Sequence, residues 1–154
     1  MADTSLIFDR TSADVAQASQ IRAETLQQGI VPTSSQYDVL NKGSITIYTL
    51  NRIEGKQQEL MNGLQENGYW NNTIVNKVWT TNDIFRQEDL QRIVNNLAKL
   101  VNSYYVYVTT PAVPQPILYW QNLNSIEKIL YDIDLILDYM ISHFRLCGTF
   151  NCGE

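Results

Sequence analysis

Asn122–Arg145, NLNSIEKILYDIDLILDYMISHFR, is the stretch on which the fold turns. Leu123, Ile126, Leu130, Ile133, Leu137, Met140 and Phe144 recur at alternating steps of three and four, the spacing of one helix face. Ile129 and Ile136 widen that stripe. Asn122 or Asn124 reads as the N-cap and Gly148 as the stop. At 1.5 Å per residue such a helix runs about 36 Å. A second apolar line, Tyr131, Leu135 and Tyr139, follows another face at steps of four. A helix apolar on two faces either lies in the centre of a core or turns one face to a partner chain.

Two earlier stretches open in the same way. Leu50-Asn-Arg-Ile53-Glu and Leu90-Gln-Arg-Ile93-Val echo Leu123-Asn-Ser-Ile126-Glu. The first continues to Leu60, Met61 and Leu64, the second to Val94, Leu97, Leu100 and Val101. Their spacings, 40 and 33 residues, are unequal, so the echo reads as three amphipathic helices entering one core rather than a regular repeat. A weaker helix begins after Thr11, with Asp14 near its positive end, carries Val15, Ala18, Ile21 and Leu26, and stops by Gly29. Residues 29–45, with Gly29, Pro32, Ser34, Ser35 and Gly43, read as a loop.

Residues 104–110 are aromatic and β-branched, which favours extended backbone, and Pro111, Pro114 and Pro116 then bar a regular helix. Residues 1–9 and 146–154 read as extended arms that pair as strands with other chains or with each other. Phe8 and Phe150 sit in segments too short to bury them alone and need partners. The expected fold is therefore mainly α, one domain over 1–154. Three to four helices form a small bundle, with extended or short β segments at both termini and around 104–110.

Composition narrows the function. Of 154 residues, 44% are hydrophobic, enough for a sizeable core, and 18% are charged, below the usual quarter, as expected of a surface covered by neighbours. The net charge of −5 and singly scattered basic residues argue against nucleic-acid binding by phosphate neutralisation. The opening MADTSLIFDRTSADV lacks a basic n-region and an apolar core, so no signal peptide is expected, and no apolar run is long enough for a membrane span. Folding in a bacterial cytosol is the expectation. There Cys147 and Cys152 are free thiols, with a disulfide the alternative, and a metal site would need more ligands than these and His143.

No residue set points to catalysis. His143 lies one position off the core stripe and reads as a packed side chain. Asp132, Asp134 and Asp138 lack the glycine and alternating oxygen ligands of a calcium loop, and read as a solvated or partner-facing edge. Trp70, Trp79 and Trp120 read as core or interface side chains. No catalytic, metal-binding or cofactor-binding residue is expected. Tyr131, Leu135 and Tyr139 need a cover. It is either the N-terminal helix, through Val15, Ala18 and Ile21, or a partner, and the low charge favours the partner.

Several motifs stand in a fixed order: Asp9-Arg-Thr-Ser-Ala-Asp-Val15, Leu50-Asn-Arg-Ile-Glu54, Trp79-Thr-Thr-Asn-Asp83, Glu127-Lys-Ile-Leu130 and Cys147-Gly-Thr-Phe-Asn-Cys-Gly-Glu154. In that order they resemble a family of small structural proteins encoded in tail-gene regions of Firmicutes phages and prophages. The chain departs from the family pattern at Thr49, where an acid is usual, and in its cysteine-containing end. The resemblance implies a non-enzymatic virion component of the baseplate or fibre-attachment region, assembled in the host bacterial cytoplasm. Its partners would be other tail proteins and copies of itself, meeting through Phe8, Tyr131, Leu135, Tyr139 and Phe150. The competing expectation is a soluble cytosolic helical adaptor or regulator forming a small oligomer.

Overall fold

The computed structural model describes residues 5–70, 72–103 and 105–147, and side chains as far as His143. The chain is mainly helical. Five helices follow in order, α1 (Ser12–Gln28), α2 (Ser34–Gly43), α3 (Ile47–Glu66), α4 (Gln87–Ser103) and α5 (Trp120–Cys147), and there is no strand among the described residues.

The unexpected helix is α2, which occupies most of the stretch read as a loop. Only Leu40 and Gly43 are buried along it, too few to print an apolar period on the sequence. Its start is nonetheless encoded: the Thr33 side chain accepts from the Gln36 N–H, and the Gln36 side chain accepts from the Thr33 N–H at 2.8 Å. The same reciprocal box, Thr11 with Asp14, opens α1 where expected, and Gly29 closes it at φ 64°. The two hydrogen bonds from Thr11 hold the Asp14 carboxyl below its usual pKa.

Helices α1 and α2 pack as a hairpin whose contact is backbone-close. A Cβ on Gly43 would stand 2.1 Å from the Asp14 carbonyl oxygen and 2.7 Å from Ala18 Cβ, so main chain would have to move. Gly43→Ala gains up to about 1 kcal/mol of helix propensity, and the overpacking costs about 1–3 kcal/mol. The clash is with backbone, so the penalty wins. Urea unfolding should show net destabilisation, and an unchanged or raised midpoint would place the two helices further apart.

Helices α3, α4 and α5 make the bundle. Their shared openings converge: Leu50, Leu90 and Leu123 are buried, and Ile53, Ile93 and Ile126 are almost completely so. Leu60, Leu97, Leu100, Leu130, Ile133 and Leu137 join the same cluster, and Met140 is buried near its end. α5 is the central element and, at 28 residues, extends past the expected span at both ends. Asn122 and Asn124 consequently lie inside it rather than capping it. Asn122 donates to the Gln115 and Ile117 carbonyls, and Asn124 grips the N-terminal arm.

Two expectations about segments outside the helices are overturned. Residues 5–11 are not a strand and do not wait for another chain; they lie across α5 of their own chain, where Leu6 is buried. Residues 105–119 form no strand either. Three prolines remove donors from the stretch, and there is no strand among the described residues for it to pair with. Val106 and Val113 pack on the core while Tyr105, Tyr107 and Val108 face outward. The C-terminal arm, with Phe150 and Cys152, lies outside the described residues.

Candidate interaction surfaces

Four of the motifs that carry the resemblance are tied together inside the molecule, and the closing one, from Gly148 on, lies outside the described residues. Glu127 of α5 is fully buried. It accepts from the Ile7 N–H at 2.6 Å, from Arg10 Nη2 at 2.5 Å, and from Arg52 Nε and Nη2 at 3.1 and 3.0 Å. Arg10 is itself buried, and its Nε donates to the Lys42 carbonyl at the end of α2. Asn124 completes the grip by accepting from the Arg10 N–H at 3.2 Å and donating to the Arg10 carbonyl at 2.9 Å. One carboxylate thus joins the arm, α2, α3 and α5. Two cations beside one buried anion, with hydrogen bonds at both of its oxygens, is the geometry in which a buried charge is tolerated.

Leu50-Asn-Arg-Ile-Glu54 divides its work by face. Leu50 and Ile53 enter the core, Arg52 turns to Glu127, and Asn51 and Glu54 hold the segment after α3. Asn51 accepts from the Trp79 N–H at 2.7 Å and donates to the Trp79 carbonyl at 3.0 Å, pairing with that residue as a strand would. Glu54, almost fully buried, accepts from Trp79 Nε1, the Lys77 N–H and Arg92 Nη2, each at 2.7 Å. Trp79 is buried against Phe85, as its size suggested. The neighbouring Asp83 pairs with Lys77 at 2.6 Å and accepts from Thr80, and these contacts lower its pKa to about 2.

The aspartates of α5 need correction. Asp132 and Asp134 are buried, not a solvated edge: Asp132 pairs with Lys128 and accepts from Thr110, and Asp134 pairs with Lys56 of α3 at 3.0 Å. Burial pulls the Lys56 pKa down, but the carboxylates of Asp134 and Glu59 outweigh it and the net shift is upward.

The described residues expected at an interface differ in how far their own chain covers them. Phe8 packs on Tyr131 with ring centroids 5.1 Å apart, so this pair is covered within the chain, by the arm rather than by α1. Leu135 is half-buried. Tyr139 alone on that line is open, at 64% exposure, with its ring stacked on His143 at 4.8 Å. Phe150 lies outside the described residues. His143 Nδ1 lies 2.8 Å from the Tyr139 carbonyl, on the surface.

Apolar side chains are exposed elsewhere. The last turn of α1 and the connection to α2 carry Leu26, Ile30 and Val31, with Leu26 85% and Val31 75% exposed. At the other end of this hairpin a cleft of about 480 Å³ opens between α1 and the start of α5. Arg22, Phe85, Leu118, Tyr119, Trp120 and Leu123 are among its walls. Neither surface was found from periodicity, because both are made of turns and of helix ends. The available signal was apolar residues flanking Gly29-Ile-Val-Pro32 and Pro116-Ile-Leu-Tyr119.

Among the described residues no group of three or more His, Cys, Asp and Glu is placed to hold a metal ion, and no helix is long and apolar enough to cross a membrane. No family model, curated protein or solved structure matches the chain.

Proposed function

We propose that the chain is a non-enzymatic structural component of a phage tail or phage-tail-like particle, in the baseplate or fibre-attachment region. It acts through contacts with other virion proteins and with copies of itself. The observation that carries this reading is the division between inside and outside. Arg10, Asn51, Arg52 and the two glutamates of the ordered motifs are engaged in clamps around Glu127 and beside Glu54, where they serve the fold. What remains at the surface is apolar and aromatic, at the α1–α2 turn and from Tyr105 to Tyr119, which suits protein partners.

The test is compositional. Particles are purified from a bacterium whose tail-gene region encodes this chain, and their proteins are quantified by mass spectrometry. The chain should be present in a fixed ratio to tube and baseplate proteins, and deleting its gene should leave particles incomplete. Complete particles that contain none of it would overturn the assignment.

A further inference from the structure

The exposed α1–α2 connection and the cleft at the hairpin base are complementary in polarity and charge. The turn is a knob: Leu26, Ile30 and Val31 project from the narrow end of a helical hairpin, flanked by Tyr37. Residues 23–41 contain two acids, Glu24 and Asp38, and no lysine or arginine. The cleft is the converse. Its walls are largely apolar and aromatic, from Phe85, Leu118, Tyr119, Trp120 and Leu123. The charged side chains lining it are Arg10 and Arg22, with no acid among the described residues. Arg10 is neutralised by Glu127, which leaves Arg22, exposed at the rim, to face an incoming carboxylate. At about 480 Å³ the cleft falls in the size range of pockets that engulf a compact apolar group.

We propose that the knob of one copy seats in the cleft of a second copy, so that the protein assembles head to tail. An intramolecular fit is excluded by geometry. Leu26 and the cleft-lining Arg22 stand one turn apart on the same helix, and α1 is held against α2 by the close contact at Gly43, so the knob cannot turn back. Because knob and cleft are different surfaces, the contact is heterologous and repeats from copy to copy, closing as a ring or continuing as a filament. The inference rests on the assembly reading above and specifies one of its contacts.

A heterologous contact can be distinguished from any two-fold one by mixing. The knob variant is Leu26→Asp with Val31→Asp; the cleft variant is Leu118→Asp with Tyr119→Asp. All four side chains are about half exposed or more, and circular dichroism and thermal unfolding verify that each variant remains folded. Sedimentation velocity at up to about 0.5 mM should show the wild-type chain in species larger than a dimer. Each variant alone should be monomeric, its self-association weakened at least about 30-fold, the effect of removing interface anchors. An equal mixture should give a capped dimer that grows no further, since only one intact knob and one intact cleft remain. Charge exchange is the second arm: Arg22→Glu should weaken association, and Glu24→Arg with Asp38→Arg should restore it in that background.

A monomeric wild type at 0.5 mM, or a mixture in which neither variant rescues the other, overturns the head-to-tail contact. If the chain is still found in purified particles, the assembly reading stands without it. If capped dimers form but particles lack the chain, the contact stands and the assembly reading fails.

Discussion

Glu127→Ala should cost about 3–5 kcal/mol, the loss expected when one partner of a buried ion pair is removed and the other charge stays behind. The residues left behind decide the size of the effect. Arg52 is 15% exposed and can swing towards water, whereas Arg10, at 1%, cannot. Arg10 keeps the neutral acceptors Lys42 O and Asn124 Oδ1 but loses its carboxylate, and the Ile7 N–H loses its acceptor. Total stabilities of domains are roughly 5–15 kcal/mol, so this single change takes a large share. Chemical denaturation measures the loss, and amide exchange at Ile7 and Arg10 locates it. Replacing Arg10, Arg52 and Glu127 together by Met, Leu and Leu should recover much of the stability, since the desolvation cost vanishes with the charges. A loss below about 1 kcal/mol in Glu127→Ala, the scale of a surface pair, would mean that the arm is held by packing instead.

Leu130→Ala is the second large effect, at about 2–5 kcal/mol from lost transfer energy plus the cavity left behind. Leu130 is completely buried in the middle of α5, where Ile126, Ile133 and Ile129 are buried as well. Little can collapse into the gap, because these neighbours are fixed along the same helix. Expected values therefore sit in the upper part of that range. Thermal or urea unfolding of the variant reads it directly, and a shift under about 1 kcal/mol would place Leu130 nearer the surface.

What the sequence made legible was what periodicity can carry. The stripe from Leu123 to Met140, and the openings at Leu50 and Leu90, mark residues that do converge in one core, because burial at steps of three and four is imposed by helix geometry itself. The absence of a stripe hid α2, whose encoding is a capping box and a glycine contact rather than a face. Charges were the harder problem. Helical spacing says which way Asp134 points but not what stands opposite, and its partner Lys56 belongs to another helix. The Asp9-Arg and Ile-Glu-Lys motifs were visible as words while their joint meaning, an ion pair between residues 117 positions apart, was not. Phe8 and Tyr131 were each read as needing cover, and the structure packs one on the other, a pairing that spacing along the chain does not reveal. Ile30 and Val31, after Gly29, carry no period, and with Leu26 at the end of α1 they become conspicuous only when the hairpin is seen to project them.

The grip of Glu127 and Asn124 on the arm also sets a schedule for synthesis. Ile7 and Arg10 leave the ribosome well before their acceptors, which are 114 to 120 residues downstream. At roughly 5–20 residues per second, the arm waits on the order of 6–25 s for its carboxylate. The α1–α2 hairpin forms from neighbouring sequence and need not wait, but it hangs from an undocked end throughout. Docking closes a loop of 114 to 120 residues, the kind of contact that slows folding most. The arm is thus made early and is among the last segments to settle, and a nascent chain that ends before Glu127 carries Arg10 with no carboxylate to meet it.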